Sequence, residues 1–230
     1  MAAFTTGDIL GLLSVYGYVA CILVVSYLLR NRVNNPRKLV HILTGGIVFF
    51  WWSFDTQWVM VGLAALPFVP LLLLTTPLSP FKRFRGSIID EISSEGHEYG
   101  LVMYAISWTV IAFFMFDDLF AASVAIAAMS FGDGMGELVG RRYGKHEYIP
   151  HRTMEGSLAV LLFSFIAIAV IGWFYFDIIG YSGGSQPFML LPFSLGVACF
   201  IAVIEAVAPG KVDNLVLPLA VGGLLHLMGV

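Results

Sequence analysis

The sequence Ser130-Phe-Gly132-Asp133-Gly-Met-Gly136-Glu137-Leu-Val-Gly140-Arg141-Arg142-Tyr-Gly144-Lys145 carries the chain out of an apolar run and into a basic loop. It continues as His146-Glu-Tyr-Ile-Pro150-His-Arg152-Thr153-Met-Glu155-Gly156-Ser157. A carboxylate at membrane depth costs a few kcal/mol, so an intramembrane acid points to function. Asp133 and Glu137, four residues apart, share one helical face. Gly132, Gly136 and Gly140 repeat at the same interval on the neighbouring stripe, where a backbone or a ligand can approach closely. Helix packing is the simpler reading of such a stripe. It leaves unexplained the basic residues that follow at once, Arg141, Arg142, Lys145 and Arg152. Carboxylates for a hard cation, exposed N–H groups and arginines that fork onto phosphate are the parts of a phosphoryl-transfer site.

Working outward, the 230 residues are 59% hydrophobic and 12% charged, against about 25% charged in a soluble domain. With a mean hydropathy of +0.88, this composition predicts an all-α, polytopic membrane bundle. Apolar segments of spanning length run at about 9–29, 39–54, 57–76, 99–116, 119–140, 157–176, 191–208 and 214–230, giving seven or eight transmembrane helices. Pro67 and Pro70 should kink the third. The longest loop, about 77–98, is too short to fold alone, so residues 1–230 form a single domain. A net charge of −3 gives no reason to expect a nucleic-acid partner. Cys21 and Cys199 lie in apolar runs without metal-like spacing and are expected to be buried thiols.

All twelve basic residues fall in alternate loops: Arg30, Arg32, Arg37 and Lys38; Lys82, Arg83 and Arg85; Arg141, Arg142, Lys145 and Arg152; and Lys211. The opposite loops hold Asp8, Asp55, Asp117, Asp118 and Asp177. The positive-inside rule makes the basic loops cytoplasmic and puts the N-terminus outside. No basic region precedes the first segment, which is read as a retained helix rather than a signal peptide.

The first span is expected to be an outer packing helix without chemistry. Lys38 and His41 share a face at the cytoplasmic end of the second, where an ammonium and an imidazole could meet a phosphate. Trp51, Trp52 and Trp58 around Asp55 are read as interfacial anchors. The basic-aromatic run from Phe81 to Arg85 suits anionic lipid. Asp90 and Glu91 sit in an acidic loop read as solvated, with a metal contact as its alternative. Glu205 is a third intramembrane acid, and Pro209 to Asn214 returns polar groups to the same face. Polar residues thus converge on one side, which is the argument for an enzyme acting at the membrane surface.

Together these motifs resemble the signature of the CTP-dependent membrane lipid-alcohol kinases: dolichol kinase, phytol kinase and the CTP-dependent diacylglycerol kinase. The resemblance rests on Gly132-Asp133 through Lys145, on Arg152-Thr153-x-Glu155-Gly156-Ser157 and on Arg37-Lys38-x-x-His41. Glu205 with Pro209-x-x-x-Asp213-Asn214-x-x-x-Pro218 is similar to the closing motif of the phytol kinase branch. Arg152 departs from the family's usual lysine, replacing a point charge by a fork.

The resemblance implies that CTP gives its γ-phosphate to the hydroxyl of a membrane-dissolved isoprenoid alcohol such as phytol, geranylgeraniol or a polyprenol like dolichol. Mg²⁺ would be held by Asp133, Glu137 and Glu155. Arg141, Arg142, Lys145 and Arg152 would bind phosphates, with Gly132, Gly136, Gly140, Thr153, Gly156, Ser157, Asp213 and Asn214 completing the nucleotide site. His41 and Lys38 would contact phosphate or take the alcohol proton, Asp133 and Glu155 being the other catalytic candidates. A phosphatidate cytidylyltransferase-like enzyme and a secondary transporter are the competing readings. The oligomeric state is left open, with a homodimer as one option.

Overall fold

The computed structural model describes residues 4–30, 32, 36–74, 76, 100–183, 186–208, 210 and 212–229, without the side chains of residues 36 and 37. Lys82, Arg83, Arg85, Asp90, Glu91, Pro209 and Lys211 lie outside the described residues, as does the side chain of Arg37.

Helix α1 is Thr6–Leu29 and α2 is Pro36–Thr44, the latter continuing as a 3₁₀ helix over Gly45–Ser53. The third segment starts as α3, Gln57–Val59, widens to a π-helix over Met60–Ala65 and resumes beyond Pro67 as α4, Phe68–Leu73, the interruption expected from a proline. Then come α5 (Gly100–Phe114) and α6 (Leu119–Ala127), the second running through a π turn at Ala128–Asp133 into α7 (Gly134–Tyr143). Strands β1 (Glu147–Ile149) and β2 (Arg152–Thr153) pair antiparallel, Ile149 opposite Arg152. They lead into α8 (Met154–Trp173), α9 (Leu190–Val207) and α10 (Asp213–Met228). Among the described residues the fold is helical apart from this short hairpin, in keeping with the expected all-α class.

Each of the eight apolar segments read from sequence reappears as a helical segment within a few residues of its expected bounds. Four are long and apolar enough to cross a membrane: Thr6–Leu29, Leu119–Tyr143, Met154–Ile178 and Leu190–Val207. The shorter four are Lys38–Ser53, Gln57–Leu73, Gly100–Phe114 and Asp213–Met228. The 3₁₀ stretch lengthens the first of these, because a rise of about 2.0 Å per residue against about 1.5 Å brings Lys38–Ser53 to roughly 28 Å, near the thickness of the hydrocarbon core.

The bundle forms around the helix Leu119–Tyr143, of whose most apolar window 89% is buried, against 22% for α1. Every residue of α6 is buried. Its Ala121, Ala122, Ser123, Ala125 and Ala127 present so little side chain that neighbouring helices close in on all sides, the usual device where lipid offers no hydrophobic drive.

Two expectations need correcting. Cys21 and Cys199 are exposed on the outer faces of α1 and α9, since an apolar helix in lipid need not turn its apolar residues inward. Trp51 is 1% exposed and packs on Trp108 at 5.2 Å; among the three tryptophans, only Trp52 and Trp58 have the exposure of anchors. Asp8 in the first turn of α1 is fully buried, accepting from Thr5 N and from the backbone of Asp55 and Thr56 at 3.0–3.1 Å and from Thr56 Oγ1 at 2.7 Å. This capping carboxylate ties α1 to the turn before α3, so its charge is met by hydrogen-bond donors, no ion pair to it being present among the described residues.

Candidate active site

The π turn at Ala128–Asp133 ends on Asp133. A π turn shifts the side chains beyond it relative to an α-helical register, and such turns recur at functional sites. Asp133 is 3% exposed, and its Oδ2 takes a bond from Lys38 Nζ at 2.8 Å. The same ammonium lies 2.6 Å from Glu137 Oε2. One cation from the start of the second segment therefore gathers both carboxylates of the central helix, on the shared face that i, i+4 spacing predicts. Glu137 is the outer member, and its Oε1 meets Arg141 Nη2 at 2.9 Å.

One turn along from Lys38, His41 is 3% exposed. Its Nε2 is 3.0 Å from the carbonyl oxygen of Met129 and 4.0 Å from Asp133 Oδ2. A carbonyl only accepts, so Nε2 carries the proton there and a neutral His41 has its lone pair on Nδ1. Tyr104 packs edge-on against the imidazole with centroids 4.7 Å apart and bonds Ser130 Oγ at 2.8 Å. Tyr104 and Ser130 were not legible as site residues: a tyrosine and a serine inside apolar runs carry no distinguishing pattern.

The hairpin brings in a second charged pair. His151 stands at its turn with φ 67, a left-handed conformation in which histidine is found more often than most side chains. The chain then reverses, and Arg152 forms an ion pair with Glu205 of α9, which is 3% exposed. Both groups are close enough to Asp133 to act on it electrostatically, as is Asp213 at the start of α10. Lys38, His41, Asp133, Glu137, Arg152, Glu205 and Asp213 thus collect at one end of the bundle, from five separated stretches of sequence.

Other expected residues take different places. Thr153 caps α8, accepting from Gly156 N at 3.2 Å. Glu155 is tied to His146 Nδ1 at 2.6 Å and to the backbone N–H of Lys145 at 3.1 Å, so it braces the loop and does not join Asp133 and Glu137. Among the described residues, no three acids, histidines or cysteines gather as a metal cage. Ser157 bonds Tyr148 at 2.6 Å. Arg141, Arg142 and Lys145 are exposed. Asn214 is buried and packs inward, its Nδ2 donating to Gly100 O at 3.0 Å. A Cβ on Gly156 would lie 3.2 Å from Gly136 O and 3.3 Å from Gly140 Cα, so the glycine stripe lets α7 and α8 approach. Gly132 is pressed on Ser164.

This is a helical membrane protein whose buried acid and base cluster sits at one end of the bundle, rimmed by arginine and lysine. The chain is 29% identical over 213 residues to phytol kinase of Synechocystis sp., covering 88% of this chain and 84% of that protein. It is 26% identical over 162 residues to phytol kinase 1, chloroplastic, of Arabidopsis thaliana (66% of this chain, 53% of that one). Farnesol kinase, chloroplastic, of the same plant is 27% identical over 194 residues, 80% of this chain and 62% of that one. These similarities support a place in the phytol kinase branch of the lipid-alcohol kinases. It spans just over half to somewhat under two thirds of these two plant proteins. No family model matches it, and no solved structure does.

Proposed function

We propose that this chain is a membrane kinase that transfers the γ-phosphate of CTP to the hydroxyl of an isoprenoid alcohol, with Mg²⁺, at the cytoplasmic face. Relatives named for phytol and farnesol support the alcohol class, and the distribution of basic loops supports the face. The single observation that carries the reading is the Lys38 ammonium shared by Asp133 and Glu137. A charge cluster this costly, at one end of an apolar bundle, suits phosphate and a divalent cation.

The donor set fits Mg²⁺, which commonly binds through one or two carboxylates together with substrate phosphates and water. Asp133 and Glu137 would hold it, and it would neutralise charge on the phosphates during transfer. Lys38, displaced from between the carboxylates, keeps its charge beside the transferring group. Arg152 adds a fork on the hairpin side, while Arg141, Arg142 and Lys145 attract the nucleotide from solution. His41, held through Nε2 by the Met129 carbonyl, stands beside Asp133 as the base that would take the alcohol proton.

The test is incubation of purified protein with γ-labelled CTP, with and without Mg²⁺, against phytol, geranylgeraniol, longer polyprenols and diacylglycerol. Labelled isoprenoid monophosphate and CDP are expected. A CDP-lipid with release of pyrophosphate would instead establish cytidylyl transfer.

A further inference from the structure

Between α1, the second segment, α4 and α5 lies a cavity of about 120 Å³. Its walls are Val19 and Leu23, Val40 and Ile47, Leu71, and Trp108 among others. Among the described residues no charged side chain lines it, and its hydroxyls, those of Thr44 and Tyr104, already have partners. Thr44 Oγ1 donates to Val40 O at 2.7 Å, and Tyr104 is bonded to Ser130. Apart from the indole N–H of Trp108, which has no hydrogen-bond partner, such a wall offers little to a nucleotide or a polar headgroup. Apolar cavities of roughly this size stay dry and accept benzene-sized guests.

Position identifies the guest. Tyr104, on the inner wall, is the residue packed against His41, and Val40 directly precedes His41. At the other side Leu23 and Leu71, 39% and 47% exposed, reach the outer surface of the bundle where lipid would lie. The cavity therefore joins the bilayer side to the catalytic end. The geometry points to this chamber as the pocket for the isoprene unit next to the hydroxyl of the alcohol, with entry between α1 and α4 and the hydroxyl directed past Tyr104 towards His41 and Asp133. This rests on the reading of the site as an isoprenoid alcohol kinase. A compact chamber of about 120 Å³ with Phe68, Tyr104 and Trp108 in its wall suits a short methyl-branched unit, so branched alcohols are selected over straight-chain ones of equal length.

The experiment uses the full chain in nanodiscs and a geranylgeraniol analogue bearing a diazirine in its first isoprene unit. Irradiation is expected to label the cavity wall, and excess geranylgeraniol should compete where a straight-chain C20 alcohol or added phosphatidylcholine does not. Ala105→Phe, which fills the chamber, is expected to reduce labelling about tenfold or more and to leave CTP affinity and the melting midpoint near wild type. If Ala105→Phe does not fold, Leu71→Trp at the exposed mouth is read in its place with the same expectation. Labelling needs no turnover, so wall labelling without phosphorylation would overturn the kinase reading and leave the pocket standing. Labelling elsewhere, labelling unchanged in the blocked variant, or equal competition by phosphatidylcholine would overturn the pocket.

Discussion

Lys38 and Asp133, 95 residues apart in the chain, meet at 2.8 Å with both side chains almost wholly buried. This pair closes the second segment on the central helix. Removing one partner of a buried ion pair costs about 3–5 kcal/mol, because the other charge is stranded. Lys38→Met is therefore expected to lower stability by an amount of that order and to abolish turnover. Adding Asp133→Asn should recover much of the stability and none of the activity, read by thermal unfolding and by phosphate transfer on the same preparations.

Asp133→Asn alone is expected to abolish turnover while the protein still inserts and folds, because Glu137 continues to hold Lys38. Loss of a metal ligand should cost several kcal/mol of transition-state stabilisation. Near-normal rates at saturating Mg²⁺ would remove Asp133 from the metal site.

Arg152 pairs with Glu205 and is proposed to hold a CTP phosphate, and a double variant separates the two roles. Arg152→Lys keeps a charge beside Glu205 and should retain most activity. Arg152→Ala strands the buried Glu205 and should both destabilise the protein and weaken CTP binding by about tenfold to a hundredfold, the worth of a charged hydrogen bond. In Arg152→Ala with Glu205→Gln the stability is expected to return and the affinity is not. Full recovery of affinity in the double variant would reduce Arg152 to a structural partner of Glu205.

Much of the fold was legible because helix length and hydropathy answer to the thickness of the bilayer, which a sequence records directly. The meeting of Lys38 and His41 with the Asp133 helix was legible for a related reason: charge in an apolar setting must find its complement. What a single sequence does not record is which neighbour each side chain meets. Arg152 and Glu205 were both flagged, but not as a pair. Glu155 was grouped with Asp133 through the family resemblance, whereas its contacts are to His146 and Lys145. Trp51 and the two cysteines were misplaced because lipid and protein interior are alike to an apolar helix, so its inward face is not written in its composition. The glycine stripe reads the same whether a ligand or a helix approaches it, and in this fold α8 does.

That last point is testable. Gly156→Ala places a methyl 3.2–3.3 Å from backbone atoms of α7 and should cost about 1–3 kcal/mol by overpacking. Gly196→Ala, with nothing within 4 Å of the added carbon, should be neutral or slightly stabilising. Melting of both variants in one detergent checks the contrast.

Topology has its own check. With Cys21 and Cys199 replaced by serine, thiols introduced at Arg142 or Tyr148 should escape a membrane-impermeant reagent in intact cells, and thiols at Asp118 or Ser182 should react. Labelling of Arg142→Cys from outside would reverse the orientation and put the basic rim on the wrong side for a cytosolic nucleotide.

The most direct test follows the γ-phosphate itself in wild type and in Asp133→Asn, with geranylgeraniol as acceptor. Wild type is predicted to give Mg²⁺-dependent geranylgeranyl monophosphate and equimolar CDP, and the variant, folded and inserted, neither. Equal transfer by the two proteins, or labelled pyrophosphate in place of the lipid phosphate, would contradict a kinase built on the Lys38–Asp133 pair.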